Sequence, residues 1–158
     1  MRSGTRALLL IGIVIIGISL GALREFIFVN LNYWIDHVAR STENLYAHSF
    51  FDFLHGTSLG SLKAMKWTMA VLFILLMFVL TSLFLEIFFQ RREVRKLVVI
   101  CFGGALSFSA IFFMLHLIFA PETAMLSISV KAFHALQYPF FVLVLVPAIS
   151  LLDQRSKA

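Results

Sequence analysis

Four long apolar runs, separated by short clusters of polar and charged residues, organise this chain. Residues 7–23 carry no charge between Arg6 and Arg24, and apolar character resumes at once in Phe26, Ile27, Phe28 and Val29. Residues 67–85 are uncharged, with Glu86 just past their end. Residues 97–120 contain one polar ring, His116; residues 132–152 contain His134, Gln137 and two prolines, Pro139 and Pro147. A helix crosses a hydrocarbon layer of about 30 Å with about 20 apolar residues. The runs therefore predict spans at about 7–29, 67–89, 97–120 and 132–152. The expected fold class is all-α: an integral membrane four-helix bundle, one domain over residues 1–158, with prolines able to kink its last helix.

The longest connection is expected between about residues 30 and 66, and it has a pattern of its own. Over residues 45–55, Tyr46, Ala47, Phe50, Phe51, Phe53 and Leu54 share one broad face at 100° per residue, with His48, Ser49, Asp52 and His55 opposite. That predicts a short amphipathic helix lying in the outer interface. Gly56 is placed to cap its C-terminus. The connection near residues 121–131 is too short to fold alone.

Composition agrees with a membrane protein and excludes a soluble domain. Hydrophobic residues make up 61% of the chain, Phe occurs 18 times, and mean hydropathy is +0.97. The charged share, 13%, is about half that of a soluble domain. The net charge of +5 does not point to nucleic acid, because the basic residues sit in clusters between apolar runs. Such clusters orient a membrane protein. An inner N-terminus puts Arg2, Arg6, Arg91, Arg92, Arg95, Lys96, Arg155 and Lys157 on the cytoplasmic side, against Arg24, Arg40, Lys63, Lys66 and Lys131 outside. Both termini are expected to be cytoplasmic, in a bacterial inner membrane. The first run also has the features of a signal peptide, with Arg2 and Arg6 before a short apolar core and a small-x-small site at Ser19 and Gly21. The apolar residues beyond that site favour retention. Gly17 and Gly21 form a GxxxG pair of the kind that lets helix backbones approach closely.

Candidate chemistry concentrates in the outer half, where all five histidines fall with Arg24, Glu25, Asn30, Asn32, Asp36 and Asp52. Ionisable groups at membrane depth mark function or structural pairing. Arg24 and Glu25 point about 100° apart on a helix, so either both snorkel at its outer end or they face the bundle. His48, Asp52 and His55, at i, i+4 and i+7, align on one helical face as candidate metal ligands or as an ordinary solvated face. His116 and His134 fall at similar predicted depth on sequential helices, open to a structural pair, a proton or metal site, or haem ligation beside Gly103, Gly104, Ser107 and Ser109. Gln137 joins them as a polar group within the fourth run. Residues 56–60 spell GxSxG, but their helical flanks lack the strand-turn-helix setting that this nucleophile motif needs. The single Cys101 lies near the inner end of its run, which excludes an internal disulfide, a CxxC pair and a Cys–His catalytic pair.

Three stretches taken together carry a resemblance: Leu23-Arg-Glu-Phe-Ile-Phe-Val-Asn30 with Asn32-Tyr33, His48-Ser-Phe-Phe51 before Lys66-Trp67, and Gln137-Tyr-Pro139 before Val146-Pro-Ala148. In order and spacing the chain resembles small bacterial four-helix membrane proteins, some of them exosortase-associated. The resemblance implies no established activity. Exosortases use a catalytic cysteine with outer-side arginine and histidine, and Cys101 lies toward the other face. The leading expectation is a non-enzymatic accessory or assembly subunit without a cofactor, working with membrane-protein partners or as a homo-oligomer at the outer face. The rival is a small membrane enzyme or a metal- or haem-binding redox protein using the outer histidines. A third reading is a small oligomeric transporter, which needs an ionisable group near the membrane midplane; the sequence pattern places none there.

Overall fold

The computed structural model describes residues 3–41, 46–119 and 123–155. Among these, five α-helices and one 3-10 helix follow in order: α1 Ser3–Arg40, the 3-10 helix Ser49–Leu54, α2 Leu59–Phe89, α3 Val94–Phe119, α4 Thr123–Ala135 and α5 Phe140–Arg155. No strand occurs among the described residues. Three helices, α1, α2 and α3, are long and apolar enough to cross a membrane. The orientation residues Arg2 and Lys157, and Leu45 and Ala120 at the ends of predicted elements, lie outside the described residues.

Helix α1 does not stop near residue 29. It runs 38 residues, about 57 Å at helical rise, because residues 30–40 contain no glycine or proline. Their apolar positions also keep helical spacing: Leu31 and Trp34 are buried, with Ile27 and Ile35 packed beside them. Helix α2 likewise starts at Leu59, earlier than the apolar run it contains. The expected long connection is thereby reduced to residues 41–58.

The chain divides into two compact units. Residues 19–73 form one, built from the second half of α1, the 3-10 helix and the start of α2. Its core is Leu31, Trp34, Phe51, Leu54 and Leu62, all buried. Phe28 meets Phe73 edge-on at 6.2 Å between ring centroids.

Residues 3–18 and 74–155 belong to the other unit. Its core joins Ile74 and Leu85 of α2, Val94, Val98 and Phe102 of α3, Leu136, and Leu145 and Ile149 of α5. Phe102 is the hub, with Phe78 at 5.4 Å and Phe141 at 4.8 Å. At the α2–α3 turn Arg95 pairs with Glu86 at 2.6 Å, and the Arg6 guanidinium donates to the Phe88 carbonyl.

The last apolar run departs most from expectation. It is two helices rather than one, and the first begins at Thr123. The break lies at Leu136, Gln137, Tyr138 and Pro139, where Gln137 N and Tyr138 N bond to the carbonyls three residues earlier. Pro139 lacks an N–H and its ring clashes with the carbonyl of Ala135, so an α-turn cannot continue through it. Pro147 sits inside α5 without interrupting it; nearby, the Ser150 hydroxyl donates to the Val146 carbonyl at 2.8 Å.

Helices α3 and α4 pack as an antiparallel hairpin. The Ser109 hydroxyl donates to the Ser129 carbonyl at 2.9 Å and the Ser129 hydroxyl to the Ser109 carbonyl at 2.8 Å. Both serines are buried, and their small side chains let the backbones approach closely enough for reciprocal bonds. The same register brings Leu136 into the cluster around Phe102. It sets Lys131 level with Ser107 and His134 level with Gly104. Lys131 thus falls beside the middle of α3 and not in an outer loop.

Candidate functional site

The candidate polar residues divide between the two units. In residues 19–73, Arg24 is 4% exposed, and its Nη1 reaches Oε1 of half-exposed Glu25 at 2.7 Å. Its guanidinium also stands 4.5 Å from the centre of the Phe28 ring, in cation–π range. Helix geometry alone gave no reason to pair adjacent residues. The long, flexible arginine side chain closes the gap along its own helix, and of the two readings, snorkelling or facing the bundle, its burial fits the second.

Asn30 is buried and serves as a tie. Its Nδ2 donates to the Phe26 carbonyl at 2.7 Å, and its Oδ1 accepts from the His48 backbone N–H at 2.6 Å. This bond holds the entry to the 3-10 helix against α1. His48 Nδ1 then accepts from the Phe50 backbone N–H at 3.1 Å, which caps that helix. Asn32 Oδ1 accepts from Lys66 Nζ at 2.7 Å, joining α1 to the start of α2. The sequence reading placed Asn32 and Lys66 in the polar outer half without linking them. A hydrogen bond between residues 34 positions apart leaves no periodic signal.

The proposed alignment of His48, Asp52 and His55 does not form. It assumed an α-helix over residues 45–55, whereas the segment is a six-residue 3-10 helix with about 120° per residue. His48 and His55 lie outside that helix as its two caps, with extended backbone, so no single helical face carries all three residues. Both imidazoles have other contacts: the His48 ring nitrogen caps the helix, and the His55 ring meets Trp34 edge-on at 6.3 Å. Among the described residues no group of three His, Cys, Asp or Glu side chains is placed to hold a metal ion.

The 3-10 pitch also narrows the expected apolar face. Phe51 and Leu54, three apart, are 6% and 2% exposed, whereas Phe50 and Phe53 are 69% and 67% exposed. Phe50 and Phe53 instead rim an apolar cleft of about 320 Å³ whose walls include Leu23, Ile27, Met65 and Met69. Gly56 has φ +77°, as a chain leaving a helix through a left-handed residue requires. Ser58, the central residue of the GxSxG spelling, accepts from the Ser61 N–H at 3.2 Å and caps α2. The serine of that motif is here a helix-start residue.

In the other unit, the register of α3 and α4 separates His116 from His134. His134 is level with Gly104, so the two lie about 18 Å apart along the hairpin. The expected pair is not formed. The apolar pattern places the start of the fourth helix at residue 132, whereas α4 begins at Thr123, which shifts His134 toward the inner half of α3. His116 Nδ1 is buried without a hydrogen bond, while His134 is exposed. A Cβ added to Gly103 or Gly104 would meet nothing within 4 Å, so no helix of this chain packs closely on them, and Ser109 is occupied by Ser129. A Cβ added to Gly17 or Gly21 would likewise meet nothing within 4 Å.

Gln137, fully buried, occupies the break between α4 and α5, with Nε2 3.5 Å from the Phe133 carbonyl. Cys101 is partly buried against the core of its unit. Sequence reasoning missed Ser129, whose only signal was a second small hydroxyl residue facing the one at Ser109. Comparisons with protein-family models, with curated proteins and with solved structures find no match.

Proposed function

We propose that this chain is a non-enzymatic accessory or assembly subunit of the bacterial inner membrane, with both termini cytoplasmic, acting with partner proteins at the outer face. In this reading α1, α2 and α3 span the membrane, and α4 with α5 together make a fourth, broken span alongside α3. One observation carries the reading: several of the outer polar residues are engaged within one unit, two of them joining its elements and the others in a local pair or a cap. Arg24 holds Glu25, Asn30 holds the His48 backbone, Lys66 holds Asn32, and His48 caps a helix. Such bonds shape a surface rather than assemble a reaction centre. That surface presents Tyr46, Phe50 and Phe53, large aromatic rings left exposed, and aromatic residues are enriched where proteins meet partners or the membrane interface.

The test has two arms. Purified protein is analysed for metal and for absorbance in the haem region, and stoichiometric metal or a haem band overturns the non-enzymatic reading in favour of the redox one. In intact cells, a photoreactive residue at Phe53 should give a discrete cross-linked protein product. Cross-linking to lipid alone at Phe53 would remove the partner from the outer face.

A further inference from the structure

Helix α4 carries a polar stripe on the side that its hairpin leaves uncovered. Ser129, Phe133 and Leu136 lie on the face toward α3 and the core. At 100° per residue, Ser127, Lys131 and His134 fall about 140–200° around the helix from Ser129. All three are exposed, at i, i+4 and i+7. Apolar neighbours flank them, with Ile128 and Val130 also exposed.

The depth of this stripe follows from the serine register. Lys131 is level with Ser107 of α3, and residues 97–118 of α3 carry no charged side chain. Ser107 stands about 15 Å from either end of that run. A lysine stem of four methylenes cannot carry its ammonium that far to the headgroups. With α3 spanning the membrane, as in the reading above on which this inference rests, Lys131 meets hydrocarbon near mid-depth. Hydrocarbon cannot satisfy it, and a charge there is costly unless a protein partner supplies an acceptor.

We propose that the Ser127–Lys131–His134 face of α4 is an intramembrane docking site for a transmembrane helix of another protein, one that carries an aspartate or glutamate near its midpoint. Charge complementarity selects the carboxylate, and Ser127, one turn away, adds a polar partner along the same helix line. A second copy of this chain does not fit. Its eight carboxylates are Glu25, Asp36, Glu43, Asp52, Glu86, Glu93, Glu122 and Asp153, every one at an end of an apolar run or between runs. Glu25 and Glu86 are already ion-paired. The partner therefore differs in sequence from this chain.

The full chain, dye-labelled at Ser156→Cys in a Cys101→Ser background, is reconstituted in zwitterionic lipid vesicles. Carbonate-resistant insertion is checked first. Energy transfer is then titrated against labelled Leu/Ala transmembrane peptides bearing Asp, Asn or Leu at the centre, or Asp near one end. The central-Asp peptide should associate on the order of tenfold more tightly than the Leu peptide, with Asn between them and end-placed Asp close to Leu. Lys131→Met should abolish the preference and Lys131→Arg should keep it. Leu143→Met, at an exposed position on α5, should leave it unchanged. Equal binding of all four peptides, or a preference surviving Lys131→Met, overturns the proposal while leaving the membrane-subunit reading intact. So does Lys131-dependent transfer between two labelled copies without peptide, which would make the occupant a second copy. Loss of the Asp preference on adding anionic lipid would assign the stripe to headgroups and equally overturn it. Failure to insert overturns both readings.

Discussion

Asn30→Ala tests whether the 3-10 segment is held by one side chain on α1. The substitution removes two bonds, from Nδ2 to the Phe26 carbonyl and from the His48 N–H to Oδ1. They are not equal. The Phe26 carbonyl lies within continuous helix and keeps its main-chain environment, so its loss costs little. The His48 N–H loses its acceptor at the entry to the 3-10 helix. A net hydrogen bond contributes about 1 kcal/mol, and an unsatisfied buried group costs about 1–3 kcal/mol. His48 is itself exposed, so water replaces part of the bond and the lower part of that range applies. The expected loss is about 1.5 kcal/mol, or roughly tenfold in the opening equilibrium of residues 47–55. Hydrogen exchange on detergent-solubilised protein reads it directly. Amides of Phe51 to His55 should exchange about tenfold faster, while those in the core of α3 stay unchanged. Asn30→Asp, which keeps an acceptor, should show a smaller rise. An unchanged exchange rate in the 3-10 helix would refute the argument, and so would a uniform rise across the molecule.

Phe51→Ala and Leu54→Ala should each cost about 3 kcal/mol in thermal or denaturant unfolding, against about 0.5 kcal/mol or less for Phe50→Ala and Phe53→Ala; equal losses at all four would restore an α-helical apolar face. Ser129→Leu should separate α3 from α4 and destabilise the hairpin by about 2–3 kcal/mol, with Ser129→Ala near 1 kcal/mol, both read as lowered melting temperature. His116→Ala and His134→Ala should lose stability additively, the double mutant matching the sum within about 0.5 kcal/mol, because the register holds them apart; a coupling beyond that would place them in contact. Single cysteines at Ser3, Arg92 and Ser156 in a Cys101→Ser background should resist impermeant thiol reagents in intact cells, while one at Thr57 reacts; the reverse pattern would invert the topology.

Three of the four expected apolar helices were legible in the sequence, because a run long and apolar enough to cross a membrane is visible without any partner. Gly56 as a helix stop was legible for a similar local reason: leaving a helix through positive φ favours glycine. Several features were not legible, and each depends on a neighbour distant in sequence. Helix α1 continues to Arg40 because Leu31 and Trp34 find a core in Phe51, Leu54 and Leu62. The segment at Ser49–Leu54 tightens to a 3-10 helix while Phe51 and Leu54, three apart, pack against that core. Pattern at 100° per residue could not distinguish this, and the metal alignment built on it fell with it. Pro139 was visible as a possible kink. That it divides the last run, with Gln137 buried in the break, is seen only in the packed unit. The register of α3 against α4 mattered most. It is set by two serines bonding to each other's carbonyls, an interaction that periodicity does not encode. That register moves His134 away from His116 and carries Lys131 from an assumed loop to the level of Ser107. The apolar run length of each helix is a property of its own residues, whereas the depth of any one side chain is a property of the pair of helices that holds it.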